Sequence, residues 1–139
     1  MGYFLEAIIG KREEIGKSFK SEESFIIELP HEFAMIPLKR EFLKKINIEN
    51  NENFESEIIR WLSVRSNDSK FALISAEFFG GTGGQTAQLF RNGSIVEEFS
   101  FQSNAINNVL KLLGLERSIG QDQFDLVELS RYRDTEDWK

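Results

Sequence analysis

Four glycines within positions 80–84, followed by Gln85, form the segment of this 139-residue chain that departs furthest from a plain structural sequence. Gly80, Gly81, Gly83 and Gly84 lose much backbone entropy on ordering, so such a run marks positive φ or a close backbone approach. Thr82 and Gln85 supply its polar side chains, which makes Gly80–Gln85 a candidate ligand loop. Known phosphate-cradling patterns do not fit it. No Lys-Ser/Thr pair follows the glycines, Thr86 stands where a dinucleotide fingerprint has its third glycine, and the next residues alternate like a strand. The structural alternative is a loose hairpin loop or a bulged strand connection.

Carboxylates are the other groups able to do chemistry. Glu77, Glu97 and Glu98 sit inside strand-like runs, and paired carboxylates can act as acid and base when their surroundings separate their pKa values. Glu97 falls on a phenylalanine-rich face, where burial would raise its pKa; the alternatives are a solvated strand edge or a hydrogen bond from Gln88. The one histidine, His31, follows Pro30 in a loop and has no serine in a nucleophile-elbow sequence to serve. With no cysteine and a single imidazole, thiolate metal sites, disulfides and a cysteine nucleophile are excluded. No catalytic residue, metal or cofactor is expected.

The net charge is −6, and its excess is confined to one part of the chain. Residues 1–48 carry eight basic and eight acidic side chains; residues 49–139 carry nine and fifteen. An acidic chain is a poor nucleic-acid binder, because that affinity begins with neutralised phosphates. A basic protein partner suits it better, with the tail acids Asp122, Asp125, Glu128, Asp134, Glu136 and Asp137 as candidate contacts. The first residues, MGYFLEAIIGKREE, put their charges after the apolar run and hold Glu6 within it, unlike a secretory signal. The run is too short to span a bilayer, so no membrane association and a cytoplasmic location are expected.

These groups must be positioned by a small set of elements. Gly2–Ile9 reads as a first strand, KREEIGKSFKSEES as a polar connection, and Phe25–Leu29 as a second strand ended by Pro30. Phe33–Ile36 is a short extended piece. Pro37 fits the first position of a helix with Leu38, Phe42 and Ile46 on one face. Asn53 is a candidate N-cap for a helix burying Phe54, Ile58, Trp61 and Leu62, and SNDSK closes it as a turn. Phe71–Phe79, Thr86–Arg91 and Ser94–Phe101 form a meander, with Asn92-Gly93 as a type I′ hairpin turn. That turn sets Phe90 opposite Ile95, Leu89 opposite Val96, Gln88 opposite Glu97 and Ala87 opposite Glu98, with both faces partly apolar. Ser103 is placed to cap a helix whose apolar face is Ile106, Val109, Leu110 and Leu113, closed by a left-handed Gly114. The tail FDLVELSRYRDTEDW is compatible with a last strand or an amphipathic helix, and Trp138 is expected to dock on the body.

Three stretches carry a resemblance: LPHEFAMIPL at 29–38, AEFFGGTGGQTAQLFRNG at 76–93 and FDLVELSRYRDTEDW at 124–138. They resemble a family of small bacterial cytoplasmic proteins in which a Phe-Gly-Gly-x-Gly-x-Gln-like loop precedes a strand and an Arg-x-Arg segment closes on Asp/Glu-Trp. Proteins of this size and acidity are similar in type to immunity proteins that neutralise polymorphic or contact-dependent toxins. The resemblance implies no catalytic residue.

The expected fold is a single α+β domain over residues 1–139, a mainly antiparallel sheet with a central β-meander and two or three helices packed on it. The expected function is a non-enzymatic protein-binding module, most concretely an immunity protein that neutralises a bacterial toxin. The alternative is a small-molecule or nucleotide-binding domain using Gly80–Gln85 with Glu77 or Glu97. A flat acidic surface would favour the first, and a pocket where loop and buried carboxylate converge would favour the second.

Overall fold

A computed structural model describes residues 2–79 and 82–138. Its six strands are β1 (Tyr3–Lys11), β2 (Ile27–Leu29), β3 (Phe33–Pro37), β4 (Lys70–Phe79), β5 (Thr82–Arg91) and β6 (Ser94–Gln102). They form one sheet in the order β2-β3-β1-β4-β5-β6, with every neighbouring pair antiparallel. The helices are α1 (Arg12–Ser18), α2 (Arg40–Lys45), α3 (Phe54–Arg65), α4 (Ala105–Leu112) and the short α5 (Gln123–Leu126). The α+β class and antiparallel sheet are thus as the sequence predicts. Among the described residues no helix is long and apolar enough to cross a membrane.

The sheet is covered on both sides because its strands alternate two apolar sets. One face carries Leu5, Ala7, Ile9, Ala72, Ile74, Ala87 and Leu89 against Ile106, Val109 and Leu110 of α4 and against Trp138. Alanines on this face leave room for α4 and the indole to approach closely. The other face sets Ile8, Ile36, Phe71 and Phe90 against Ile15 of α1, Phe42 of α2, and Ile58 and Leu62 of α3. Aromatic pairs tie that layer: Phe19 and Phe71 have ring centroids 5.0 Å apart, and Phe42 and Trp61 5.9 Å. Arg65 closes α3 by pairing with buried Glu22, Nη1 to Oε1 at 2.6 Å, while its guanidinium lies 4.3 Å from the Trp61 ring centroid.

Local signals fix several junctions. Asn92 and Gly93 have φ of 54° and 85°, as a type I′ turn requires, and Gly114 at 104° ends α4. Other boundaries differ from the sequence reading. Pro37 is the last residue of β3, opposite Ala7, and the next helix starts only at Arg40, because the Leu38 N–H donates to Glu6 O at 2.9 Å and prolongs the extended chain. Phe25 ends a 3-10 turn, so β2 begins at Ile27. Helix α4 begins after Asn104, not Ser103.

The hairpin register also slips. Phe90 pairs with Ile95 as expected, but Leu89 then pairs with Glu97, Gln88 with Glu98 and Ala87 with Phe99, so Val96 is an extra residue. The bulge swaps the faces of Glu97, Glu98 and Phe99, and a second shift between Ala87 and Gln85 adds another extra residue before Gln102. Phe99 therefore packs with the Ala87 side, and Val96 is left 47% exposed.

The tail is neither one strand nor one helix. After α5 it makes 3-10 turns at Leu129–Arg131 and Thr135–Asp137. Between them it occupies the place beside β1 that β3 leaves vacant beyond Pro37: Phe4 N–H donates to Arg133 O at 2.8 Å, and Glu6 N–H donates to Thr135 Oγ1 at 3.1 Å. These bonds satisfy β1 donors that would otherwise be orphaned. Trp138 is fully buried, edge-on to Tyr132 at 4.9 Å, and its carbonyl accepts from Lys39 Nζ at 2.8 Å.

Candidate functional site

The glycine segment joins β4 to β5, with Phe79 paired to Thr82; Gly80 and Gly81 lie outside the described residues. Gly83 has a φ of 134° opposite Phe78, and a Cβ there would overlap the Glu77 carbonyl. Gly84 is buried opposite Glu77. Gln85 is buried on the α4 side, where its Oε1 accepts the Ile106 N–H at 2.9 Å. Gly83 and Gln85 thus have structural partners of their own.

The tail acids act largely as local caps. Asp122 and Asp125 form the capping box of α5, and Asp122 also accepts from Asn107 Nδ2 at 3.0 Å. Burial pushes the Asp122 carboxyl up, but hydrogen bonds from the Asp125 N–H and Asn107, with the charge of Arg117, outweigh it and leave the pKa lowered. Glu128 pairs with Arg131 at 2.6 Å. Asp134 caps the last turn, Glu136 accepts from the Arg40 N–H at 2.9 Å, and Asp137 is exposed. His31 is exposed in the β2–β3 connection, beyond the end of β1 that lies furthest from Glu6.

A cleft of about 470 Å³ opens over the sheet on the α3 side. Its floor is a row of polar residues in register across three strands: Glu6 of β1 opposite Ser75 of β4, and Ser75 opposite Thr86 of β5. Gln88 and Glu98 continue the floor toward β6, joined by a 2.7 Å bond from Gln88 Nε2 to Glu98 Oε2. Phe54 and Ile58 of α3 form the wall, and Glu55 stands at the rim. The bulge at Val96 decides which carboxylate is present. The sequence register puts Glu97 on this face, whereas the observed register brings Glu98 here and leaves Glu97 exposed opposite Leu89.

Glu6 is the residue that sequence reasoning passed over as a site. It stands between Phe4 and Ile8 on one face of an otherwise apolar strand, and that misplaced polar residue was the available signal. Burial first, and the nearby Glu77 charge second, raise its carboxyl above the ordinary glutamate value. Among the described residues no side chain donates a hydrogen bond to it. Among the described residues, the ionisable groups lining the cleft are all carboxylates: Glu6, Glu55 and Glu98. Gly83, Gly84 and Gln85 do not line it, although the β4–β5 connection lies at the same end of the sheet. Among the described residues no group of three or more histidines and acids is placed to hold a metal ion. Such a cleft can accept hydrogen bonds and positive charge.

Comparison with protein-family models, with curated proteins and with solved structures finds no match to this chain.

Proposed function

We propose that this protein is a non-catalytic binding module that takes a basic protein partner at the sheet end holding the cleft. The observation that carries this reading is the charge of the cleft, whose ionisable lining among the described residues is entirely carboxylate. Asp134, paired beside Phe4, and Glu136 add negative charge at the same end. Complementary charge of this kind speeds encounter and rejects partners of the wrong sign. The most concrete form of the reading, suggested by the similarity in size and acidity to immunity proteins, is a cytoplasmic immunity protein covering the active site of a cationic toxin.

The test is a direct binding measurement against purified basic toxin domains and other basic proteins over a salt series. One partner should bind with affinity falling steeply as salt rises, and Glu55→Lys with Glu98→Lys should abolish it. Binding that ignores both salt and the charge reversals would remove the basis of the proposal. The size of the cleft favours small-molecule binding as a second reading. That reading would rest on Glu6, Ser75 and Thr86 in place of the Gly80–Gln85 loop, and a thermal-shift screen with metabolites tests it.

A further inference from the structure

We infer that the cleft receives a single guanidinium group, the side chain of one arginine on the protein partner, with the Glu6 carboxylate as its acceptor at the floor. This rests on the binding-module reading above and names the chemistry that reading uses.

Three observations lead there. The floor acceptors belong to adjacent strands in register, Glu6 beside Ser75 beside Thr86, so they are spaced at the roughly 4.8 Å separation of neighbouring strands. A guanidinium presents five N–H donors in a fixed plane, and its fork can engage a carboxylate while its remaining donors reach a hydroxyl one strand away. An ammonium is a compact point charge that keeps its water more tightly, and a half-enclosed floor favours the more weakly hydrated ion. Phe54, on the wall, offers an aromatic ring to a planar cation entering between α3 and the sheet. Finally, Gln88 already holds one oxygen of Glu98, whereas among the described residues no side chain donates to Glu6, so Glu6 is the more open acceptor of the floor.

The same chemistry is presented by free arginine, and the experiment separates the two sources. Nα-acetyl-arginine amide, Nα-acetyl-lysine amide and free L-arginine are titrated into the isotopically labelled protein while amide shifts are followed. The expected result is saturable shifts at Glu6, Ser75 and Thr86 with the blocked arginine, at least tenfold weaker binding of the blocked lysine, and loss of binding in Glu6→Gln. Glu6→Gln replaces a half-buried charge by a neutral isostere, so its fold is retained, and a thermal melt checks this. Thr86→Val should weaken binding several-fold. Equal affinity for the lysine probe, or full binding by Glu6→Gln, overturns the inference. Free arginine binding more tightly than the blocked form overturns the partner assignment in favour of an amino-acid ligand. If the blocked arginine fails while Glu55→Lys and Glu98→Lys still abolish binding of a basic protein, the guanidinium inference falls and the binding-module reading stands.

Discussion

The Ile106 backbone N–H donates to Gln85 Oε1 at 2.9 Å, so a strand residue caps a helix 21 positions further along the chain. The first N–H groups of a helix have no partner within it, and Ile106, at the second position of α4, is fully buried. Gln85→Ala should therefore lower stability by about 1–3 kcal/mol, the cost of stranding a buried donor. Ser103→Ala, at the residue that local pattern would choose as the cap, should stay within about 0.5 kcal/mol of the parent. Urea midpoints of both variants check this, and the reverse ranking would refute the assignment.

Gly83 and Gly16 make a matched pair. At Gly83 a methyl group would meet the Glu77 carbonyl in a backbone conformation that side chains avoid, and Gly83→Ala should cost about 3 kcal/mol or more. Gly16 lies in α1, where an added methyl group would meet nothing within 4 Å, so Gly16→Ala should add about 0.5–1 kcal/mol. Chemical denaturation of the two variants side by side tests both signs.

The Glu22–Arg65 pair joins the 3-10 turn after α1 to the end of α3, with Glu22 only 4% exposed. Removing Arg65 strands the Glu22 carboxylate, whose side chain is only 5% exposed, so Arg65→Met should lose about 3–5 kcal/mol. Arg65→Lys should be intermediate, since an ammonium keeps the charge but not the fork or the stacking on Trp61. Thermal unfolding in low and high salt reads both, and little salt sensitivity is expected of so buried a pair.

Glu6 makes stability depend on pH in a direction opposite to most carboxylates. Its folded pKa is raised above 4.5 by burial and then by Glu77. The folded chain therefore keeps this proton where the unfolded chain has lost it, and stability falls as pH rises from the unfolded value through the folded one. Glu6→Gln should be more stable than the parent near neutral pH and indistinguishable from it at about pH 3. Melting curves at the two pH values decide it; a variant less stable at neutral pH would show that the carboxylate is stabilised in the fold.

Parts governed by local chemistry were legible in the sequence. The Asn92-Gly93 turn, the Gly114 helix stop and the apolar face of α4 all depend on residues within a few positions of one another. Burial of Trp138 was legible from its size alone. The Val96 bulge was not, because nothing local to the turn marks it, and its effect, Phe99 packed on the Ala87 side, shows only in the assembled sheet. The path of the tail was not either, since its hydrogen bonds answer a gap beside β1 that exists only once β3 has stopped. Glu6 was visible as a polar residue inside an apolar run, but its alignment with Ser75 and Thr86 needs the pairing of strands far apart in sequence.

The displaced register of β6 also bears on how the protein behaves in a crowded solution. Both margins of the sheet are poor templates: β2 has three residues and meets Pro30, while β6 is kinked at Val96 and carries the exposed Glu97 and Glu98. A neighbouring chain seeking to add a strand finds donors and acceptors out of step and two negative charges in its way. Deleting Val96 would remove the kink nearest the turn and extend the regular margin of β6 as far as its second irregularity, opposite Gln85–Ala87. Loss of this single residue should therefore raise the tendency of neighbouring chains to add strands at β6, which light scattering would follow.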